Sequence, residues 1–157
     1  MDDSEKEYHD CLQKALRYLS VRNRSEKEMS DYLTKKNFGK ETLEKTIDYM
    51  KSRLLLNDER FALEYFERAR SKNYGRAKII FELRGKGISG KTIEFAAKNT
   101  GGTEYENCLT VAVKKLALLK NGRQKNLPLF LHGRGFSWNV IKQVLHDIGQ
   151  NEPNEDV

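Results

Sequence analysis

Apolar residues recur three and four apart along most of the chain, the spacing of a helix with one buried face. Tyr8, Cys11, Leu12, Ala15, Leu16 and Leu19 make the first stripe, which should end near Arg22-Asn23, and the polar MDDSEKE before it is expected to fray. Ser25 and Glu28 read as a capping box opening a second helix that carries Met29, Tyr32 and Leu33. After Asn37-Phe38-Gly39 a third helix turns Leu43, Ile47 and Met50 inward. The order then repeats. Asn57 or Asp58 caps a helix burying Phe61, Ala62, Tyr65, Phe66 and Ala69; Asn73-Tyr74-Gly75 breaks it; Ile79, Ile80 and Leu83 face the core of the next; Ser89 restarts the chain for Ile93, Ala96 and Ala97. Thr100-Gly101-Gly102 is the plainest linker. A third round opens at Thr103 with Glu106, takes Leu109, Val113, Leu116 and Ala117 inward and stops at Asn121-Gly122. Pro128 means that the next helix either begins late, near Leu127, or is kinked. Ser137 opens the last helix, with Val140, Ile141, Val144 and Leu145 inward, and the tail NEPNEDV is acidic and expected to be disordered.

These rounds are one pattern in register. Met29, Ile79 and Leu127 align, as do Leu33, Leu83 and Leu131; Phe38, Ile88 and Phe136; and Leu43, Ile93 and Ile141, at offsets of 50 and then 48 residues. Each copy carries a stop residue, Asn37, Gly87 or Gly135, of the kind that ends a helix in the left-handed conformation. An internal period of this length implies stacked copies of one supersecondary unit. The predicted fold is all-α: an elongated tandem array of three three-helix, helix-turn-helix-like repeats, at 1–53, 54–102 and 103–150, followed by the tail 151–157.

Charged residues are 33% of the 157, which suits an array of small cores. The net charge of +6 is unevenly placed: residues 1–60 balance 13 basic against 13 acidic side chains, 61–102 carry 9 against 4, and 103–150 carry 7 against 3. Such an excess is compatible with nucleic acid or another polyanion, and equally with a solvated lysine-rich helical surface. Cys11 and Cys108 have no metal-ligand spacing and read as buried reduced thiols; His9, His132 and His146 make no ligand pair. No metal or cofactor is expected. No signal peptide or apolar run of membrane length is present, and two far-apart cysteines read as reduced thiols make a cytoplasmic location the expectation.

One catalytic motif matches fully: Gly85-Lys86-Gly87-Ile88-Ser89-Gly90-Lys91-Thr92 fits the phosphate-binding loop G-x-x-x-x-G-K-T. That loop needs a strand before it, whereas the period places the segment at a helix break, where Gly87 stops one helix and Ser89 caps the next. Its counterparts Lys35–Thr42 and Gly133–Val140 lack the Gly-Lys-Thr ending. Asp58-Glu59, the nearest thing to a carboxylate pair, suits a helix start. No catalytic residue is assigned, and an enzyme is not expected.

The basic residues carry the functional reading. Arg68, Arg70 and Lys72 lie near the end of one helix, Arg76 and Lys78 open the next, and Arg84 and Lys86 end it. Lys36, Lys86 and Arg134 hold the same place in the three copies, one residue before the stop, so a regular stack would align them as a row giving salt-sensitive, sequence-independent phosphate contact. The macrodipole alone also favours cations at those helix ends. The contact candidates are Lys36, Arg70, Lys72, Arg76, Lys78, Arg84, Lys86, Lys125 and Arg134.

Leu56-Asn57-Asp58-Glu59-Arg60-Phe61-Ala62, Gly75-Arg76-Ala77-Lys78-Ile79 and Glu82-Leu83-Arg84-Gly85-Lys86-Gly87-Ile88 resemble the signature of RecX, the bacterial modulator of the RecA recombinase. Ala15-Leu16-Arg17-Tyr18-Leu19 through Leu33, and Arg134-Gly135-Phe136-Ser137 before Ile141, extend the similarity over residues 8 to 150. The resemblance implies a non-enzymatic protein that binds in the helical groove of the RecA filament on single-stranded DNA and restrains its growth, ATPase and strand exchange. The implied partners are thus the RecA filament and single-stranded DNA, with weak, non-specific duplex binding; no membrane is implied, and a monomer is expected. Asp58, Phe61, Ala62, Gly75, Leu83, Gly87 and Ile88 become motif scaffold. Two departures stand out: Asn126 and Pro128 interrupt a stretch that is usually a regular basic helix, and Asn57 stands where Asp is frequent. The alternative is a stand-alone helix-turn-helix-like regulator selective among duplex sequences.

Overall fold

A computed structural model describes residues 2–119 and 126–149. Among these residues the chain is all-helical: α1 (Asp3–Val21), α2 (Glu26–Lys35), α3 (Lys40–Ser52), α4 (Asp58–Ser71), α5 (Arg76–Gly85), α6 (Gly90–Asn99), α7 (Glu104–Ala117), α8 (Leu127–Gly133) and α9 (Trp138–Asp147). Lys125, the Asn121-Gly122 stop and the acidic tail lie outside the described residues. The left-handed stops fall where the period puts them, with φ of 62° at Asn37, 79° at Gly87 and 95° at Gly135. The segment matching the phosphate-binding loop therefore follows a helix, α5, and Ser89 Oγ accepts the Thr92 amide at 3.1 Å to start α6.

The chain divides into two compact units, Met1–Glu64 with Leu83–Ala96, and Tyr65–Glu82 with Ala97–Val157. In the first, α1, α2 and α3 pack mutually around Cys11, Ala15, Met29, Leu33, Met50 and Leu56. The start of α1 departs from the frayed end expected: Asp2 and Glu5 form a capping box, so the helix begins at Asp3. Ser25 and Glu28 form the predicted box on α2. Helix α3 is turned from its predicted face. Thr42, Thr46 and Met50 are buried, whereas Leu43 and Ile47 are only half-buried. The cause is Glu7 of α1, whose carboxylate accepts the Gly39 amide at 3.0 Å and the Thr42 hydroxyl at 2.7 Å. Those bonds replace a side-chain N-cap that Gly39 lacks and draw Thr42 toward α1, while Thr46 is satisfied by the Thr42 carbonyl at 2.8 Å.

In the second unit α7, α8 and α9 enclose Cys108, Val111, Ala112, Leu127, Leu131, Phe136, Ile141, Val144 and Leu145. The Thr103–Glu106 capping box is present. The inward stripe of α7 is Cys108, Val111 and Ala112, with Leu109 and Leu116 half-buried and Val113 and Ala117 exposed, contrary to expectation. Spacings of three and four admit both stripes; the one with the small residues lets the neighbouring helices approach. Of the two readings of Pro128, the late start holds: α8 begins at Leu127 with the proline in its first turn, where no amide bond is lost. Glu104 Oε1 accepts the Ser137 amide at 3.2 Å at the start of α9, as Glu7 does for α3.

Candidate functional site

Three of the basic candidates, Lys78, Lys86 and Arg134, belong to two equivalent helix-to-helix junctions, and these junctions differ in charge. In each, the start of one repeat's second helix meets the stop of the next repeat's second helix. In the first unit Ser25 Oγ donates to the Lys86 carbonyl at 2.7 Å while accepting the Glu28 amide. In the second unit Gly75, 50 residues after Ser25, donates its own amide to the Arg134 carbonyl at 2.6 Å, and Ala77 N–H donates to Gly135 O at 3.0 Å. Amides at the start of α5 thus take the two carbonyls just past the end of α8, which gives the unpaired donors of a helix start a backbone partner. The approach is close enough to need glycine on both sides. A Cβ on Gly75 would lie 2.3 Å from the Gly135 carbonyl carbon, and one on Gly135 would lie 2.6 Å from Lys78 Cβ.

The first junction is neutralised from within. Glu28 Oε1 accepts Lys86 Nζ at 3.0 Å and Arg22 Nη2 at 2.9 Å. Burial alone would raise the Glu28 carboxyl, but hydrogen bonds from Arg22, Lys86 and the Ser25 amide outweigh it and hold the group at about 2. Lys86, one of the contact candidates, is therefore an internal partner whose side chain is only 27% exposed. In the second junction the residue in the place of Glu28 is Lys78, and the residue in the place of Lys86 is Arg134. Two cations replace an ion pair.

Aromatic rings hold these cations in place of carboxylates. Lys78 Nζ sits 4.0 Å from the centroid of Tyr74, and the Arg134 guanidinium 5.8 Å from the same ring and 5.3 Å from Phe130. Lys115 Nζ sits 4.8 Å from Phe130. Arg134 Nη1 also donates to the Lys72 carbonyl at 3.4 Å, which places Lys72 beside the group. A cation over a ring is positioned without losing its charge or most of its donors. Among the described residues no carboxylate lies within ion-pair distance of Lys78, Arg134 or Lys115. The strip Lys78–Tyr74–Arg134–Phe130–Lys115 is thus a run of cations ordered by aromatic rings.

The other candidates fall as follows. Arg70 is half-buried, its Nη2 2.0 Å from where a Cβ on Gly102 would stand, and lines a small cleft with Tyr74, Arg76 and Asn107. Arg76 and Arg84 are exposed on α5. Lys36 ends α2 and lies 5.4 Å from Tyr32, which stacks on Tyr18 under Arg24. The scaffold residues Phe61, Ala62, Leu83 and Ile88 are buried; Gly75 sits at the backbone contact described, Gly87 is left-handed against Lys27, and Asp58 accepts the Glu26 amide at 2.9 Å. Sequence reasoning missed Tyr74, Phe130 and Lys115, and missed Glu28 as the partner of Lys86. The exchange of Glu28 for Lys78 under the 50-residue offset was a signal in the sequence that the two junctions differ in charge; the rings and Lys115 come together only on folding. Among the described residues no group of His, Cys, Asp and Glu is arranged to hold a metal, and no helix is long and apolar enough to cross a membrane.

The family follows from comparison with known proteins. Residues 11–50 match the model of the first three-helix domain of RecX, and residues 57–96 that of the second. The regulatory protein RecX of Chlorobium limicola is 35% identical over 144 residues, covering 88% of this chain and 89% of its own. The chain belongs to the RecX family. The regulatory protein RecX of Clostridium perfringens strain SM101 is 31% identical over 156 residues, 94% of this chain and 73% of its own. The crystal structure of RecX from Lactobacillus salivarius superposes with a TM-score of 0.81 at 24% identity, covering 92% of this chain and 98% of that one, which supports the fold. RecX proteins are regulators rather than enzymes.

Proposed function

We propose that this chain modulates the RecA recombinase, mainly as an inhibitor, by binding along the groove of the RecA filament on single-stranded DNA and restraining filament growth, ATP hydrolysis and strand exchange. The supporting observation is the second junction. There a position that is a neutralising glutamate in the first repeat has become Lys78, and the cations around Tyr74 and Phe130 are fixed without being cancelled. Such a surface meets a polyanion with little loss of side-chain entropy, and it carries no base-reading code. On this reading the chain acts in the cytoplasm as a monomer of three repeats, 1–53, 54–102 and 103–150. Of the contact candidates, Lys78 and Arg134 contribute most, Lys36, Arg70, Lys72, Arg76, Arg84 and Lys125 add to the field, and Lys86 serves the fold.

The test is filament extension. RecA filaments nucleated on long single-stranded DNA are followed as they grow with and without the protein at substoichiometric ratios. Growth should slow well below one protein per RecA. Unchanged growth at equimolar protein would remove the proposal. Preference for one duplex sequence over others would instead favour the stand-alone regulator.

A further inference from the structure

A second surface of the opposite sign lies in the first unit. A groove of about 820 Å³ runs between α2 and α3, floored by Phe38, Leu43 and Ile47 and lined by four acidic residues, Glu26, Glu44, Asp48 and Asp58, against two basic ones, Lys27 and Lys40. Five of the six equivalent positions in the other two repeats are closed. Ile88 and Phe136, the counterparts of Phe38, are 4% and 1% exposed, and Ile93 and Ile141, the counterparts of Leu43, are 3% and 0% exposed. Of the residues in the place of Ile47, Leu145 of the third repeat is fully buried and Ala97 of the second is half-buried. In the first repeat the turn of α3 imposed by Glu7 leaves these side chains half-covered, so the groove is a repeat core opened to solvent.

The rim is also particular to this repeat. The places of Glu44 and Asp48 are taken by Glu94 and Lys98 in the second repeat, and by Lys142 and His146 in the third. Lys51 sits on Glu26 at 3.1 Å and Lys40 lies 3.8 Å from Glu44. Asp48 has no cation within ion-pair distance among the described residues. Burial raises the Asp58 carboxyl and the charges of Glu26 and Glu28 push it the same way, against the Glu26 amide and Lys51, which lower it. With four carboxylates against Lys27 and Lys40 on its lining, the groove favours an incoming positive charge. Phosphate is disfavoured there for the same reason.

We propose that this groove binds a protein segment bearing an apolar side chain flanked by lysine or arginine, supplied by a subunit of the recombinase filament. The assignment of the segment to that filament rests on the proposed function; the groove's preference for a cationic, apolar peptide does not. The apolar side chain covers Phe38, Leu43 and Ile47, and its cation meets Asp48 and Asp58. The protein would then hold the filament by two surfaces of opposite charge, the aromatic–cation strip on phosphate and this groove on protein.

Two measurements on the full chain test this. The variant Glu44→Lys with Asp48→Lys changes two exposed side chains on α3, and circular dichroism confirms that it folds. Its binding to preassembled filaments should fall at least tenfold, while its binding to a bare single-stranded oligonucleotide should hold or tighten, because the change adds positive charge. Filament binding unchanged or tightened overturns the proposal, and so does a wild-type dimer that the variant converts to monomer, which would give the groove to a second copy. Independently of any filament, a twelve-residue Lys/Leu amphipathic peptide is titrated into the wild-type protein. Amide shifts should centre on Ser30, Thr34, Leu43 and Asp48. No shift, or shifts spread evenly over other acidic surfaces, overturns the groove itself, whereas localised shifts without filament binding overturn only its link to the recombinase.

Discussion

Glu28 and Lys86, 58 residues apart, close the first junction: Lys86 Nζ lies 3.0 Å from Glu28 Oε1, and Arg22 completes the pair from the other side. The folded carboxyl sits at about 2, below the ordinary value of about 4.3 for an unfolded glutamate. A carboxyl depressed by folding adds stability in full above its unfolded value and loses it as pH falls toward its folded value. The melting temperature of the wild type should therefore exceed that of Glu28→Gln most at neutral pH, and the gap should shrink as pH is lowered from about 4.3 to about 2. At neutral pH the cost of the substitution should be about 1–2 kcal/mol, since the pair is only partly shielded from solvent. Thermal melts of both proteins across that range check this; a gap independent of pH contradicts it.

Gly75→Ala places a methyl group 2.3 Å from the backbone of Gly135. With backbone on both sides, relief requires α5 and α8 to part and the Gly75–Arg134 hydrogen bond to lengthen. Denaturant unfolding should show a loss of about 1–3 kcal/mol. Gly85→Ala is the control, because a Cβ there meets nothing within 4 Å, and it should be neutral or slightly stabilising within a helix.

Both thiols are buried. Burial pushes Cys108 up to about 12, with Glu104 adding to the effect, and burial also raises Cys11. The thiolate is the reactive form, so both cysteines should react with an alkylating reagent only on unfolding. Mass spectrometry after brief labelling at neutral pH should show no adduct in the native protein and two in denaturant.

Leu83 is fully buried in α5. Leu83→Ala should cost about 2–5 kcal/mol, read as a lower denaturation midpoint. Arg84→Glu, one residue on and exposed, should leave the midpoint nearly unchanged.

How much of this was readable from the chain depends on how far apart the partners lie. The stops at Asn37, Gly87 and Gly135 and the boxes at Ser25–Glu28 and Thr103–Glu106 involve residues within one turn, and each was legible. The face of α3 was not, because it is set by Glu7, 35 residues before Thr42. Helix α7 offered two apolar stripes at the same spacing, and local pattern has no means of choosing between them. The shared position of Lys36, Lys86 and Arg134, one residue before each stop, was visible in the sequence. That Lys86 is spent on Glu28 while Arg134 lies over Tyr74 and Phe130 depends on side chains brought together only by folding. Charge counting finds the basic region; it does not tell an ion-paired lysine from one over a ring.

The central claim is that the cations of the second junction carry regulation while those of the first carry structure. Its most direct test is the RecA ATPase on single-stranded DNA, titrated with wild type, with Lys78→Ala plus Arg134→Ala, and with Lys86→Ala. Wild type should inhibit at substoichiometric ratios. The double variant, at unchanged helical content, should need at least tenfold more protein, and its binding to bare single-stranded DNA should show a log–log salt slope lower by about 1.4, two phosphate contacts at about 0.7 each. Lys86→Ala should lower the melting temperature yet inhibit as the wild type does at a temperature where it is folded. Full inhibition by the double variant, or its loss in folded Lys86→Ala, would contradict the account.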